Sequence, residues 1–240
     1  MKDTSSPMTE RPADDAVVRC TGLARTFGSG RAATVALHRV SCTVPPGARI
    51  ALSGPSGSGK STLLHLLAGL DEPTAGEISW SGLGGPPHGR PGTVGLVFQG
   101  PSLLPDLDVR ENVALPLILG GTPEQTALRA AGDVLRRLQA ADLAAKLPEE
   151  LSGGQAQRAA VARVLAGRPA LILADEPTGQ LDHQTGDRVI TVLLNAADEL
   201  GAALVISTHD PAVLDRFTER WTMRDGTLIA APGPGKGAPS

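Results

Sequence analysis

The sequence predicts an α/β fold with a parallel sheet, flanked by helices and interrupted by a helical insertion. Two continuous apolar runs, residues 170–174 and 203–207, are bounded by turn formers, as strands buried on both faces of a parallel sheet are. A helical stretch at 188–200 lies between them and completes a strand–helix–strand unit. The third observation is a change of character mid-chain: from about 101 to 154, strand-like runs give way to helical periodicity.

Residues 1–15 are polar, with prolines and no apolar segment, and residues 231–240 are rich in Gly and Pro. Both read as disordered tails around one domain spanning 16–230. Strand-like runs follow at 17–23, 35–44 and 49–52, separated by the Gly-rich turn at 28–30 and by Pro45-Pro46-Gly47. Residues 61–70 read as a buried helix, because Leu63, Leu64, Leu66, Leu67 and Leu70 leave little polar face. Short strands are expected at 77–80 and 93–98. In the insertion, Ala127, Leu128, Ala131, Val134, Leu135 and Leu138 recur at a spacing that predicts an amphipathic helix over 123–143. A second helix is expected at 155–166, and Asp225-Gly226 centres a closing hairpin over 223–229.

The composition is that of a soluble globular protein: 240 residues, 41% hydrophobic and 20% charged, enough for a substantial core. A net charge of −3 supplies no basic field, so no nucleic-acid partner is expected. Cys20 and Cys42 have neither CxxC nor metal-ligand spacing and read as buried reduced thiols of a cytoplasmic protein. No run reaches the roughly 18 apolar residues that cross a bilayer, and the N-terminus lacks a signal peptide's apolar core. Work at a membrane would therefore pass through a partner.

Residues 54–61 match the phosphate-loop pattern G-x-x-x-x-G-K-S/T, after a predicted strand and at the start of a predicted helix. Gly54, Gly57 and Gly59 permit a tight turn that aims successive N–H groups at one anion, and the helix start adds its dipole. Pro55, Ser56, Ser58 and Thr62 complete the cradle, Lys60 reaches the phosphates, and the Ser61 hydroxyl suits Mg²⁺. Lysine is rare here: only Lys2, Lys60, Lys146 and Lys236 stand against eighteen arginines. A chain that otherwise uses arginine keeps lysine where a compact point charge is needed. A phosphate-loop nucleotide hydrolase core follows, with a nucleoside triphosphate and Mg²⁺ as the expected ligands.

Asp175 and Glu176 stand just past the apolar run 170–174, where parallel sheets bind ligands. Alone, two acids there could equally begin a solvated turn ended by Pro177; the phosphate loop upstream decides for function. Asp175 suits Mg²⁺, and Glu176 suits a general base for water. His209 follows the run 203–207. A lone histidine is ordinarily a packing or surface residue, but this position brings it to the nucleotide edge.

Leu151-Ser152-Gly153-Gly154-Gln155 lies between these two sites. With residues 54–61, Asp175, Glu176 and His209 in that order, the chain resembles ABC-type nucleotide-binding domains over about 17–229. Ser152 could also simply cap a helix before a flexible glycine pair. The resemblance implies an N-terminal antiparallel β-subdomain beside the nucleotide-binding core. It also implies a dimer of ATPase subunits, identical or related, in which Ser152, Gly153, Gly154 and Gln155 act on the ATP of the partner. By the same resemblance Gln99 senses Mg²⁺ and water, Asp182 links the two sites, and Phe27 stacks on the base without a tyrosine's hydroxyl.

Residues 103–113 are similar to those of lipoprotein-releasing, macrolide-exporting and cell-division ATPases. That implies docking of membrane permease subunits and a position on the inner face of the cell membrane, powering export, lipoprotein release or mechanotransmission. A soluble ATPase of iron–sulfur assembly and an ATP-driven regulator of cell-wall hydrolysis remain alternatives. The link between Trp80 and Val94 is shorter than in that subfamily and carries Gly84-Gly85-Pro86-Pro87. Gln180 stands where Asn, Ser or Ala is usual.

Overall fold

The computed structural model describes residues 16–100, 102–179 and 181–230; the two tails expected to be disordered, and Gln180, lie outside the described residues. In chain order the strands are β1 (Val18–Phe27), β2 (Thr34–Val44), β3 (Arg49–Ser53), β4 (Ala75–Ser79), β5 (Val94–Val97), β6 (Leu171–Asp175), β7 (Ala203–Ser207), β8 (Glu219–Arg224) and β9 (Thr227–Ala230). The helices are α1 (Lys60–Leu67), α2 (Val109–Leu119), α3 (Glu124–Arg137), α4 (Gly153–Ala166), α5 (His183–Leu200) and the short α6 (Pro211–Leu214).

These strands form two sheets. The first is antiparallel, in the order β2-β1-β4. The second runs β5-β6-β7-β3-β8-β9 and is parallel except for β9, which returns against β8. Every residue of β6 and of β7 is buried, which explains their unbroken apolar sequences. Because β6, β7 and β3 are parallel neighbours, Asp175, Ser207 and Leu52 share one register row. The segments that leave these strands therefore meet at one sheet edge.

Two apolar clusters hold the layers. In one, Leu63, Leu64, Leu66 and Leu67 of α1 pack with Leu23 and Leu37 of the antiparallel sheet and with Ile50, Leu173 and Val205 of the parallel sheet. In the other, α4 and α5 meet the opposite sheet face and the insertion helices through Val113, Ala131, Leu135, Val161, Ile190 and Leu193. Each fully buried leucine or isoleucine contributes about 1.5–3 kcal/mol, so α1 is anchored firmly behind its N-terminus. Cys20 and Cys42 face each other across β1 and β2, both buried and reduced. Their mutual hydrogen bond and burial push the Cys20 pKa well up, which keeps that thiol protonated.

Several boundaries differ from the sequence expectation. The helix expected over 61–70 ends at Leu67, where Gly69 turns into the left-handed region and Pro87 of the Gly/Pro link packs against it. The helix expected over 123–143 stops at Arg137; Gln139 takes φ +52° and a separate 3-10 turn covers Ala141–Leu143. Helix α5 begins five residues before the expected 188, at His183, because Asp182 caps a polar first turn that carries no apolar period. Helix α2 was not expected, since Pro116 and a run of leucines obscure its periodicity.

A capping box at Asp108 and Glu111 starts α2, and the buried Asn112 completes it. Its amide donates to the carbonyls of Leu104, Leu107 and Asp108 and accepts from the Leu104 N–H at 2.8 Å. Asn112→Ala would strand these groups. We expect a loss of about 2–4 kcal/mol in unfolding free energy, measured by urea titration.

Candidate functional site

The loop between β3 and α1 closes because three of its residues have no Cβ. Gly54, Gly57 and Gly59 have φ of +149°, +76° and +98°. A Cβ on Gly54 would stand 2.3 Å from the Met223 carbonyl oxygen, and one on Gly59 would stand 2.5 Å from that of Ala36. Any side chain at either position would push the loop off the sheet. Helix α1 starts on Gly59, so no side chain caps its first turn. Helices α2, α4 and α5, by contrast, are capped by Asp108, Ser152 and Asp182. The uncapped N–H groups of α1 are free to bind an anion.

Lys60 folds back over this loop and donates to the carbonyls of Gly54 at 2.9 Å and Pro55 at 3.1 Å. Ser58 supplies, among the described residues, the one buried side-chain polar atom without a hydrogen-bond partner. That hydroxyl is packed beside Gly54 inside the loop, and leaving it unpaired costs about 1–3 kcal/mol.

Opposite the loop stand the residues that follow β6 and β7. Asp175 is 6% exposed, and its Oδ1 accepts from the Ser207 hydroxyl at 2.6 Å. The Glu176 N–H donates to Ser207 Oγ at 2.9 Å and to the Ser207 carbonyl at 3.1 Å. These bonds hold Glu176 at φ +42°, a left-handed conformation that costs a bulky residue about 1–3 kcal/mol. The result is that its carboxylate spans two basic groups: Oε1 lies 3.7 Å from Lys60 Nζ and Oε2 lies 3.5 Å from His209 Nδ1. Three chain segments far apart in sequence thus converge.

A cleft of about 430 Å³ unites them. Ala36, Gly54, Pro55, Ser56, Gly57, Gly59, Lys60, Ser61, Thr62, Gln99, Glu176 and His209 line it. Gln99 reaches it from the loop after β5, which Gln157 and Arg163 of α4 tie down through Phe98 and Ser102. Among the described residues no group of three or more His, Cys, Asp or Glu could hold a metal by itself. Ser61 and Gln99 line the cleft, whereas Asp175, bonded to Ser207, is not among its lining residues.

The remaining expected residues lie elsewhere. Ser152, Gly154 and Gln155 line a separate cleft at the start of α4, with Arg158, Leu181, Asp182, Thr185 and Arg188. Ser152 and Gln155 form a reciprocal capping box, so the helix-cap reading of this segment holds. Asp182 accepts from the N–H and hydroxyl of Thr185, which hold its pKa below the usual carboxylate range. It also lines a third cleft that reaches Glu176 and His209. Phe27 stands at the end of β1, opposite Thr34 and half exposed. Sequence reasoning missed Ser207, whose bonds to both acids depend on strand register.

A family model described as ABC transporter matches residues 37–179. An uncharacterized ABC transporter ATP-binding protein of Mycobacterium tuberculosis, Rv0986, is 38% identical over 222 residues, 90% of either chain. Among solved structures, the dimeric ATP-binding cassette MJ0796 in a post-hydrolysis state with ADP and Pi matches with a TM-score of 0.81 and 33% identity. The match covers 89% of this chain and 97% of that one. The protein cbiO1 from Clostridium perfringens, part of the ABC transporter complex cbiONQ, matches with a TM-score of 0.77 and 27% identity over 90% of this chain and 88% of that one.

Proposed function

The chain belongs to the ABC transporter family of ATP-binding proteins, and on that premise we propose that it hydrolyses ATP to drive a separate membrane permease. The observation that carries the chemistry is the convergence of Lys60, Glu176 and His209 on one cleft walled by the glycine loop. In this reading the loop N–H groups and Lys60 bind the phosphates. Phe27 carries the base. Ser61, Asp175 and Gln99 would hold Mg²⁺, which when bound neutralises phosphate charge. Glu176 takes a proton from water as that oxygen attacks the γ-phosphorus, and the bond to the ADP oxygen breaks. His209, beside Glu176 Oε2, steadies the carboxylate and reaches toward the γ-phosphate.

The signature opens on its own cleft through Ser152, Gly154 and Gln155, with no residue of the phosphate loop in its lining. It serves a second subunit, and two copies of this chain close over two nucleotides. Asp182, between the signature cleft and the cleft that reaches Glu176, joins the two events. The dimeric cassette among the structural matches supports this arrangement.

Among the described residues no helix is long and apolar enough to cross a membrane. Leu104, Ile118 and Leu119 are exposed on the insertion, where a permease at the inner side of the membrane would dock. The test is capture: the tagged chain, held with Mg²⁺ and a non-hydrolysable ATP analogue, is drawn from detergent-solubilised host membranes. We expect a polytopic permease in stoichiometric yield, its extracytoplasmic domain pointing to export or lipoprotein release. Recovery of soluble iron–sulfur assembly proteins alone would overturn the transporter reading, whereas a permease bound to a cell-wall hydrolase would redirect it to mechanical signalling.

A further inference from the structure

Arg25 and Phe27 are two residues apart on β1 and so share one face of the strand. The guanidinium carbon of Arg25 lies 4.6 Å from the centroid of the Phe27 ring, in cation–π range. The same guanidinium is forked by Asp71, with Nη2 2.7 Å from Oδ1 and Nε donating to Oδ2 at 2.8 Å. Both side chains are about three-quarters buried, so solvent screens the pair only in part.

The position of Asp71 gives this contact a purpose. It stands four residues beyond the end of α1, the helix whose first residue is Lys60. Nearby, Thr74 donates its N–H to the Ala24 carbonyl at 2.8 Å, and its hydroxyl accepts from the Thr26 N–H at 3.0 Å. The segment after α1 is thereby strapped to β1 on both sides of Arg25. Across the strand pair, Phe27 faces Thr34, and Ala36 two residues on lines the phosphate cleft. Phenylalanine has no hydroxyl with which to anchor itself, and an exposed ring at a strand end loses rotamer freedom when it stacks. A cation held under one face removes that freedom beforehand and leaves the other face open.

We propose that Arg25 and Asp71 are positioning residues that fix Phe27 as the nucleobase platform and hold it in register with the phosphate helix. This rests on the reading of Phe27 as the base-stacking residue. Recognition of the base then depends on the pair, and recognition of the phosphates does not. Lysine would keep the charge at position 25 and lose the fork.

The test compares ATP with inorganic tripolyphosphate, which has phosphates and no base, as ligands of the full chain by calorimetry. For Arg25→Ala we expect ATP to bind about five- to tenfold more weakly and tripolyphosphate to bind within about twofold of the unaltered chain. KM for ATP should rise in step, with kcat unchanged. Arg25→Lys should lie between, and Asp71→Asn should follow Arg25→Ala in direction. Equal weakening of both ligands would show a merely structural role and overturn the proposal, as would unchanged ATP affinity. Phe27→Ala separates the two layers of the argument. If it spares ATP binding, the platform reading fails; if it weakens ATP alone while Arg25→Ala does not, only the role of the pair fails.

Discussion

Glu176→Gln should lower kcat for ATP hydrolysis by at least about a hundredfold, the usual weight of a positioned general base, while ATP still binds. Glutamine keeps the volume of the side chain and cannot accept the proton of water. It also removes a negative charge 3.7 Å from Lys60 Nζ, which releases the ammonium toward phosphate. ATP affinity should therefore hold or increase. The left-handed backbone at 176 is imposed by bonds to Ser207 that use main-chain atoms, so the substitution leaves the fold in place. Steady-state phosphate release and nucleotide binding, measured on one preparation, decide the matter. Turnover within a few-fold of the unaltered chain would remove Glu176 from the role of base.

The same geometry marks what a sequence can and cannot convey. The phosphate loop was legible because its requirement is local: three glycines with positive φ and an uncapped helix start, all within eight residues. Strands β6 and β7 were legible because burial on both faces leaves an unbroken apolar signature. Helix α2 was not, because Pro116 and the leucines around it blur the 3.6-residue period that would follow its Asp108–Glu111 capping box. The convergence of Glu176 with Lys60 and His209 lay one step further away. Each residue could be placed after its own strand, but adjacency follows from the order β6-β7-β3, which no local pattern encodes. Ser207 shows the limit most clearly. It is an ordinary serine in the sequence, and only register makes it the group that binds Asp175 and positions Glu176.

Gly153→Asp is expected to abolish hydrolysis, by about a hundredfold or more, without weakening the fold or nucleotide binding by the separate subunit. Gly153 is the first residue of α4, and a Cβ built there meets nothing within 4 Å. An aspartate therefore fits, and near a helix N-terminus its charge stabilises by about 0.3–1 kcal/mol. Thermal unfolding should move slightly upward or not at all. The phosphate cleft of the same chain should be indifferent, since Gly153 lines no part of it. What changes is the charge offered to a partner's γ-phosphate: carboxylate meets phosphate where N–H groups should, and the dimer cannot close. In the Glu176→Gln background, ATP should turn the chain from monomer to dimer in size-exclusion chromatography with light scattering. Adding Gly153→Asp should return it to monomer with ATP still bound. A variant that stays dimeric and hydrolyses ATP normally would exclude the signature from the reacting site. Loss of ATP binding by the monomer would instead place the signature in its own subunit's pocket. A substitution that stabilises its helix and abolishes turnover requires that the helix start act on something outside its own chain.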